Sequence, residues 1–440
     1  MKKIQKAIAC CLGVIATISF CSCGYFGAKE LSVPAKAERL DYKERKEENY
    51  LAFKQATDEF SAKLTEGVYK ISEKDENLAI APLSVYMALA LATECADRDT
   101  RTELLSALGV SYETLKANVS KLYRALNVEH KTSGVIGEKT LGKVNMTNSI
   151  WIDKSLEIKQ ACLDSLSQDY YAYSYQTDFL NKPNLANQAI ESFIKRQTNG
   201  LIDEDMNFDD ETLFVLMNTL YLKDVWNEYG KDIARTENAY TFKEYDGETE
   251  SLKFLQGKYI SGRAYRGEGY TSFYTQTYNG YKIKFILPDA GKMMDEVFTG
   301  ENIYKLNAVT NYSEIDDEKM EEYYTRCLFP EFEGEYDGDV STVLQNDFEI
   351  KSIFDIRACN LTNLTSSSPV FCPEVRHVAE LKVDKKGIEG AAVTVMPKAG
   401  APGPGEYTQV YLDFIVDRTF GFVLTDSYDT VLFTGVIGDV

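Results

Sequence analysis

Hydrophobic positions recur along most of the chain in patterns typical of regular secondary structure. Near the start, apolar residues spaced by three and four positions predict a helix with one apolar stripe. These residues are Phe53, Ala56, Phe60, Leu64 and Val68. Further on, residues 213–222 form an almost unbroken apolar run, which is typical of a strand buried on both faces of a sheet.

Strand patterns dominate the second half of the chain. Apolar stretches at 272–278 and 281–287 flank Asn279-Gly280, a dipeptide that strongly favours a tight hairpin turn. Three more strand-like runs, separated by turn residues, follow near the C-terminus. They span residues 411–416, 420–425 and 431–436. We find no internal repeat and no long linker, so we predict a single α+β domain over residues 51–440.

The first 22 residues have the pattern of a signal peptide. Three lysines precede an uncharged run of 14 residues over 7–20, which is shorter than the roughly 20 residues of a membrane-spanning helix. The run ends in Ser22-Cys23-Gly24, which resembles a bacterial lipobox, in which Cys23 is acylated and becomes the first mature residue. The alternative is an ordinary secretory signal with incidental cysteines. We therefore expect a secreted or cell-surface lipoprotein.

Residues 23–50 differ from the rest of the chain in composition. They are polar, contain Pro34 and end in a dense charge run over 41–48. Such a composition is typical of a solvated segment. We predict that residues 23–50 form a tether between a lipid anchor and the folded domain.

The overall composition excludes several classes of function. With 44% hydrophobic and 26% charged residues, the chain is an ordinary globular protein. Its formal net charge of -20 argues against nucleic-acid binding, which needs a basic face. His130 and His377 are its two histidines, which argues against a histidine-based metal site. We expect no metal and no cofactor.

The cysteines show no metal or redox motif. Four of the nine lie within the first 23 residues, and the other five are Cys95, Cys162, Cys327, Cys359 and Cys372. No Cys-x-x-Cys pair occurs, and disulfide frameworks are typical of much smaller secreted chains. We therefore expect these five to be small buried hydrophobic side chains.

Catalytic motifs are also missing from the sequence. It contains no Gly-x-Ser-x-Gly, no phosphate-binding Gly-x-x-x-x-Gly-Lys followed by Ser or Thr, and no His-Glu-x-x-His. Nothing in the sequence places a serine beside either histidine. We predict that the protein is not an enzyme.

The most informative segment lies between residues 379 and 420. A strand-like stretch at 379–384 runs into small residues and then into a loop at 396–405 that is rich in glycine and proline. Such a segment cannot form a stable helix, but it could be an exposed loop that is able to become a strand. Alternate residues Ile388, Gly390 and Ala392 are small or apolar, so one face could be buried. The alternative is an ordinary surface loop.

Several short motifs also follow one another from about residue 50 onward. They lie at residues 77–84 (NLAIAPLS), 100–104, 148–153, 194–202 (IKRQTNGLI), 216–226, 329–332 and 432–435. The Gln197-Thr198-Asn199-Gly200 segment is highly specific, and the motifs together resemble the serpins, a family of serine protease inhibitors. The resemblance implies an α+β fold with a large central mixed sheet, surrounding helices, smaller sheets and an exposed reactive-centre loop.

The resemblance implies a role for several individual residues. The hinge of the reactive loop is Gly387, Ile388, Glu389, Gly390, Ala391, Ala392, Val393 and Thr394. Ser84, Asn218 and His377 match the shutter, which in the family is a buried polar network under the sheet. The network should be thinner here, because Ala81 replaces a second serine. Trp226 matches the breach, where the loop first inserts.

The resemblance also implies a mechanism without catalysis. A serine protease cuts the loop and becomes acylated, and the freed loop inserts into the central sheet and traps the covalent complex. We expect a monomer that binds no nucleic acid and touches a membrane only through its lipid. The alternative is a non-inhibitory binding protein with the serpin fold. A hydrolase on an unrelated fold has no nucleophile motif to support it.

The loop departs from the family pattern at several positions. Lys385 replaces the usual glutamate, so an ion pair at the loop base is lost or reversed. Ile388 replaces a small polar residue, and Pro397 removes one donor from an inserted strand. The segment between hinge and following strand is about seven residues longer than usual, which leaves the scissile bond ambiguous among Ala399, Gly400, Ala401 and Pro402. These small residues suit an elastase- or subtilisin-like protease, whereas Lys398 would suit a trypsin-like one.

Overall fold

The secondary structure follows the strand and helix patterns of the sequence. The computed structural model describes residues 25–134, 137–227, 231–309, 312, 315–316, 319–367, 370–372, 374–389 and 407–440. Within them the α-helices are α1 (Glu48–Ile71), α2 (Pro82–Cys95), α3 (Arg98–Leu108), α4 (Tyr112–Leu126), α5 (Gln160–Asp169), α6 (Pro183–Gln197), α7 (Met294–Val297), α8 (Gly300–Asn307) and α9 (Ser341–Asn346). Short 3-10 helices span Glu44–Lys46 and Ser352–Phe354.

Strands occupy most of the rest of the described chain. They are β1 (Lys29–Ser32), β2 (Leu78–Ile80), β3 (Val128–Gly134), β4 (Gly137–Asp153), β5 (Ala172–Thr177), β6 (Phe214–Val225), β7 (Tyr240–Lys243), β8 (Thr249–Leu252), β9 (Leu255–Gln256), β10 (Ile260–Ser261) and β11 (Tyr265–Arg266). The later strands are β12 (Tyr270–Ser272), β13 (Tyr274–Gln276), β14 (Lys282–Pro288), β15 (Ile315–Asp316), β16 (Glu321–Phe329), β17 (Phe332–Asp339), β18 (Arg376–Val383), β19 (Gly387–Glu389), β20 (Thr408–Ile415), β21 (Phe420–Thr425) and β22 (Val431–Ile437).

A large mixed sheet organises the molecule. Its strands follow the order β1-β5-β4-β6-β19-β18-β17-β2-β22-β21-β14-β12-β11, with β3 added to β4 and β13 to β14. The β4–β5 pair is parallel, and most of the other pairs are antiparallel. A smaller sheet gathers β9, β10, β15 and β20 around β16, and β7 pairs with β8. The predicted α+β class, with one large mixed sheet and smaller sheets, is confirmed.

Two helices show how the sequence pattern becomes packing. The stripe residues Phe53, Phe60, Leu64 and Val68 of α1 are buried, as the spacing predicts. Helix α2 begins with Pro82, which suits the first helical turn because that turn needs no backbone donor. Every residue of α2 except Ala88 is buried, which is typical of a helix enclosed by other elements. It therefore forms a central layer behind the sheet.

The predicted hairpin forms, but its turn is wider than two residues. Strands β13 and β14 pair with Gln276 opposite Lys282, and the amide of Gly280 donates to the Thr277 carbonyl over 3.3 Å. Gly280 has φ of +90°, a conformation that favours glycine.

The predicted tether differs from the structure over the described residues 25–50. Strand β1 pairs with β5 at the edge of the large sheet. Tyr25 is buried and packs edge-on against the rings of Trp151 and Phe193. Arg45 is also buried and donates from Nη2 to the Ala125 carbonyl over 2.8 Å. This polar segment is held by strand pairing and aromatic contacts that its composition does not show. In the described part of the chain, no helix is long and apolar enough to cross a membrane.

Candidate functional site

The centre of the large sheet contains a position that is only partly filled. Strand β18 ends at Val383, and the chain turns through Asp384, whose amide donates to the Gly387 carbonyl over 2.9 Å. It then returns as β19, a strand of three residues between β6 and β18. Gly387 pairs with Val225 of β6, and Ile388 pairs with both Asp224 and Val383. The first three hinge residues are therefore already in the sheet rather than in an exposed loop.

A cavity of about 310 Å³ lies further along β6. It is lined by the first half of β6, by the start of β18, by α2 on one side and by α6 with the following segment on the other. Val215 to Asn218 are only half-buried, whereas the sequence predicts a strand buried on both faces. The reason is that the strand position beside these residues is an open space.

The end of the sheet where β19 enters is held by several contacts. Trp226 is buried, and its Nε1 donates to the Asp384 carbonyl over 2.6 Å while its ring packs against Phe329. Lys385 forms an ion pair with Asp232 over 3.1 Å, and its amide donates to a Glu331 carboxylate oxygen over 2.8 Å. The loop base therefore has an ion pair with the cation on the loop. This polarity is the reverse of the one that the usual glutamate at position 385 would give.

Each residue of β19 has a distinct environment. A Cβ on Gly387 would lie 2.0 Å from the Asp224 carbonyl oxygen, so this position accepts only glycine. Ile388 is 1% exposed and belongs to the apolar core. Glu389 accepts a hydrogen bond from the Tyr221 hydroxyl over 2.9 Å and pairs with Lys223 over 2.6 Å. Burial by itself would raise the pKa of Glu389, but its bonds to Lys223 and Tyr221 outweigh burial and lower it.

Asp224 is a site residue that sequence reasoning missed. Burial raises its pKa to about 10, so the carboxyl group is neutral at physiological pH. It accepts hydrogen bonds from the side-chain amide of Asn279 over 2.5 Å and from the Asn279 backbone over 3.2 Å. The hairpin turn thus supports β6 beside the hinge. The sequence offered one signal for this contact. It is a charged residue at the end of an apolar strand together with the Asn-Gly pair that follows much later in the chain.

The predicted shutter residues meet at the cavity but are not hydrogen-bonded to one another in the described structure. Ser84, Asn218 and His377 all line the cavity. His377 Nε2 accepts from the Ala81 amide over 3.1 Å, whereas Asn218 donates to the side chain of Asn148 over 2.7 Å. The predicted single network is therefore two separate contacts, because Asn218 turns toward β4. Asn148 and the Ala81 backbone were not predicted.

His377 is held in its neutral form. Burial lowers its pKa to about 4, and a nearby Asp337 carboxylate opposes this effect only in part. Protonation of Nε2 would also remove the acceptor for the Ala81 amide. His377 therefore acts as an uncharged acceptor that ties β18 to the chain before α2.

Other predicted site residues lie outside the described residues. They are Cys23 of the lipobox-like leader, hinge residues Gly390, Ala391, Ala392, Val393 and Thr394, and the scissile region Ala399, Gly400, Ala401 and Pro402. Across the described ranges, no group of three or more His, Cys, Asp or Glu residues is placed to hold a metal ion.

Comparison with known proteins identifies the family to which this chain belongs. The family model described as serpin (serine protease inhibitor) matches residues 55–440. The chain belongs to the serpin family. Serpins are generally inhibitors rather than catalysts.

Serpins with different functions are similar to the chain over most of its length. Serpin-ZX of Arabidopsis thaliana is 26% identical over 396 residues, which cover 86% of this chain and 96% of that protein. Corticosteroid-binding globulin of Ovis aries is 27% identical over 379 residues, which cover 83% of this chain and 80% of that protein. The crystal structure of the thermophilic serpin tengpin in its native state aligns with a TM-score of 0.68 at 21% identity, over 94% of this chain and 100% of that one.

Proposed function

We propose that this serpin inhibits a serine protease by acting as a suicide substrate. The protease serine attacks a carbonyl carbon in the loop, the peptide bond breaks, and the loop remains joined to the protease as an ester. The freed segment then continues β19 along β6 and carries the acylated protease with it. The trapped ester is distorted before water hydrolyses it.

The observation that supports this mechanism is the partly filled strand position. Strand β19 already has the antiparallel register with both neighbours, and it points toward the cavity beside Val215 to Asn218. Each added residue makes backbone hydrogen bonds to β6 and β18. At about 1 kcal/mol net per bond, about ten bonds release on the order of 10 kcal/mol. Such a gain suffices to drive a large rearrangement.

The target class follows from the loop sequence. Ala399, Gly400 and Ala401 present small side chains, which fit the primary pocket of an elastase- or subtilisin-like protease. Cleavage between Ala401 and Pro402 is disfavoured, because most serine proteases cut poorly before proline. We propose cleavage after Ala399 or Gly400.

A non-inhibitory binding role is the second candidate. It is supported by Ile388, which is already buried, and by Pro397, which removes one backbone donor from a longer inserted strand. The similarity to corticosteroid-binding globulin shows that members of this family also serve as binding proteins. In this candidate the hinge stays where it is after cleavage.

A protease panel separates the two candidates. The purified protein is mixed with an elastase-like, a subtilisin-like and a trypsin-like serine protease and then analysed on a denaturing gel. An inhibitor gives a covalent band whose mass is that of the protease plus the serpin without its C-terminal fragment, and the mass of that released fragment locates the scissile bond. Cleavage of the loop without such a band for every protease would overturn the inhibitor proposal.

We also propose that Cys23 carries a lipid that anchors a monomer to a cell surface. The support is the uncharged leader and the Ser22-Cys23 pair. Because Tyr25 is packed against Trp151 and Phe193, the body would lie next to the anchor rather than on a tether. Detergent phase partition tests this: the parent should enter the detergent phase and Cys23→Ser should remain aqueous. Equal partition of both would overturn the anchor.

A further inference from the structure

Two buried thiols lie in contact where two helices meet. Cys95 is the last residue of α2, and Cys162 lies in the first turn of α5. Their Sγ atoms are 3.9 Å apart, although 67 positions separate them in the sequence. Their side chains are 0% and 5% exposed. The fold therefore brings together two cysteines that the sequence presents as unrelated.

We propose that Cys95 and Cys162 form a disulfide bond in the exported protein. The sulfur atoms of a disulfide lie about 2.05 Å apart, so the two have to approach by about 2 Å. Rotation of one or both thiols about the Cα–Cβ bonds covers such a distance. The predicted signal peptide would send the chain to a compartment in which disulfides form.

The oxidant is a second disulfide, carried by a small molecule such as oxidised glutathione or by a protein. The thiolate of one cysteine attacks it, displaces one of its sulfurs and forms a mixed disulfide. The thiolate of the other cysteine then attacks the cysteine sulfur of that mixed disulfide and displaces the second sulfur. Two electrons pass to the oxidant, and the two cysteine protons are taken up by its two thiolates.

The burial of Cys95 and Cys162 determines the stage of folding at which the disulfide forms. Contact with Cys162 and burial raise the pKa of the Cys95 thiol, so little reactive thiolate exists in the folded protein. A bulky oxidant also has no access to side chains that are at most 5% exposed. The bond therefore forms during folding, before α2 and α5 close over it, and is afterwards protected from reductants.

The position of the bond connects it to the partly filled sheet. Residues of α2 from Ser84 to Ala92 line the cavity beside β6. Helix α5 leads directly into β5, which belongs to the strands on the far side of β6 from the gap. A disulfide at the end of α2 thus fastens the helix behind the gap to the outer part of the sheet.

The full chain, refolded in a mixture of reduced and oxidised glutathione, tests the bond directly. The refolded protein is denatured in an alkylating reagent without reductant, digested and analysed by mass spectrometry. We expect a linked peptide pair containing Cys95 and Cys162, with a mass two hydrogens below the sum. Cys327 serves as the internal reference, because it is buried in β16 and should be alkylated. Alkylation of both Cys95 and Cys162, or their linkage to other cysteines, would overturn the proposal.

Thermal unfolding measures the consequence of the bond. Closing a loop of this length constrains the unfolded chain, so the oxidised protein should unfold about 5 °C above the reduced protein. The matched control is the Cys95→Ala, Cys162→Ala double variant, which should lose this difference between protein refolded under oxidising conditions and protein refolded under reducing conditions. A difference of the same size in the double variant would contradict the assignment.

Discussion

At the scale of single residues, burial sets the properties of the groups around β19. Gly387 is required because the Asp224 carbonyl leaves no room for a side chain. Asp224 itself is neutral, because the cost of burying its charge exceeds the gain from its two bonds to Asn279. His377 is neutral for the same reason. The most perturbed ionisable groups at this site therefore have structural rather than catalytic roles.

The neutral state of His377 predicts how stability depends on pH. Its pKa of about 4 in the folded protein lies below the value of about 6.5 expected after unfolding. The unfolded chain therefore binds the proton first. The contribution of neutral His377 to the free energy of unfolding is complete above about pH 6.5. It is lost as the pH falls toward about 4, and the loss is at most about 3 kcal/mol.

Denaturant unfolding of the parent and of His377→Gln, between about pH 7 and about pH 4, measures the contribution of His377 to stability. The variant should be less stable near neutral pH, but it should lose less stability as the pH falls. The difference between the two proteins removes the titration of the carboxylates they share. Parallel curves would mean that His377 is charged as readily in the fold as in the unfolded chain.

At the scale of elements, β19 is held by a small number of contacts. Ile388 enters the core, while Glu389 faces outward to Lys223 and Tyr221 of β6. The strand is only three residues long, so the loss of one contact is a large fraction of what holds it. Its attachment should therefore be sensitive to single substitutions.

Glu389→Gln should loosen this strand. The substitution removes a partly exposed ion pair, and such pairs contribute about 0.2–1 kcal/mol. Hydrogen exchange at the amides of residues 387–389 should accelerate by up to about fivefold. Glu301→Gln is a matched control, because its partner Lys305 lies on the same helix, α8, and outside the large sheet. Equal exchange at 387–389 in all three proteins would show that the Glu389 ion pair does not hold the strand.

Ala392→Arg should convert the inhibitor into a substrate. If insertion continues the alternation of β19, residue 392 faces the core as Ile388 does, and an arginine there would bury a charge without a partner. We expect the loop still to be cut, with the covalent complex lost. Ala391→Arg, on the opposite face, is the control and should keep most of the complex. Covalent complex formed by Ala392→Arg at the parent's rate would exclude insertion in this register.

At the scale of the whole molecule, the proposed mechanism requires that the unfilled part of the sheet keep the protein short of its most stable state. Strands β6 and β18 on the two sides of the cavity belong to one sheet, and the loop follows directly after β19, which lies between them. Completing the sheet requires only that the loop be free to move. Under the proposed mechanism, cleavage should therefore stabilise this chain, although most cuts in globular proteins do not.

Cutting the loop near Ala401 should raise the unfolding temperature. If insertion releases on the order of 10 kcal/mol, the midpoint of a domain of this size should rise by about 10 °C or more. Calorimetry of intact and cleaved protein measures the shift. Cleaved Ala392→Arg is the control and should show little gain. A midpoint that stays constant or falls in the cleaved parent would favour the non-inhibitory candidate.

The sequence by itself determined the elements and the family. The stripe of α1, the apolar run of β6 and the Asn-Gly turn depend on residues close together in the chain, and the structure has each of these elements. The serpin motifs are also local, so their order predicted the sheet architecture. Periodicity and turn chemistry are properties of neighbours in sequence, which is why they can be read without a structure.

Only the tertiary structure decided how distant residues meet. Glu389 forms an ion pair with Lys223, although 166 positions separate the two residues in the chain. Cys95 contacts Cys162 because α2 packs on α5. The polar segment around Tyr25 packs against the body because Trp151 and Phe193 form a surface that its own composition cannot reveal. These contacts depend on the relative positions of separate elements, and those positions arise only when the sheet and the helices assemble.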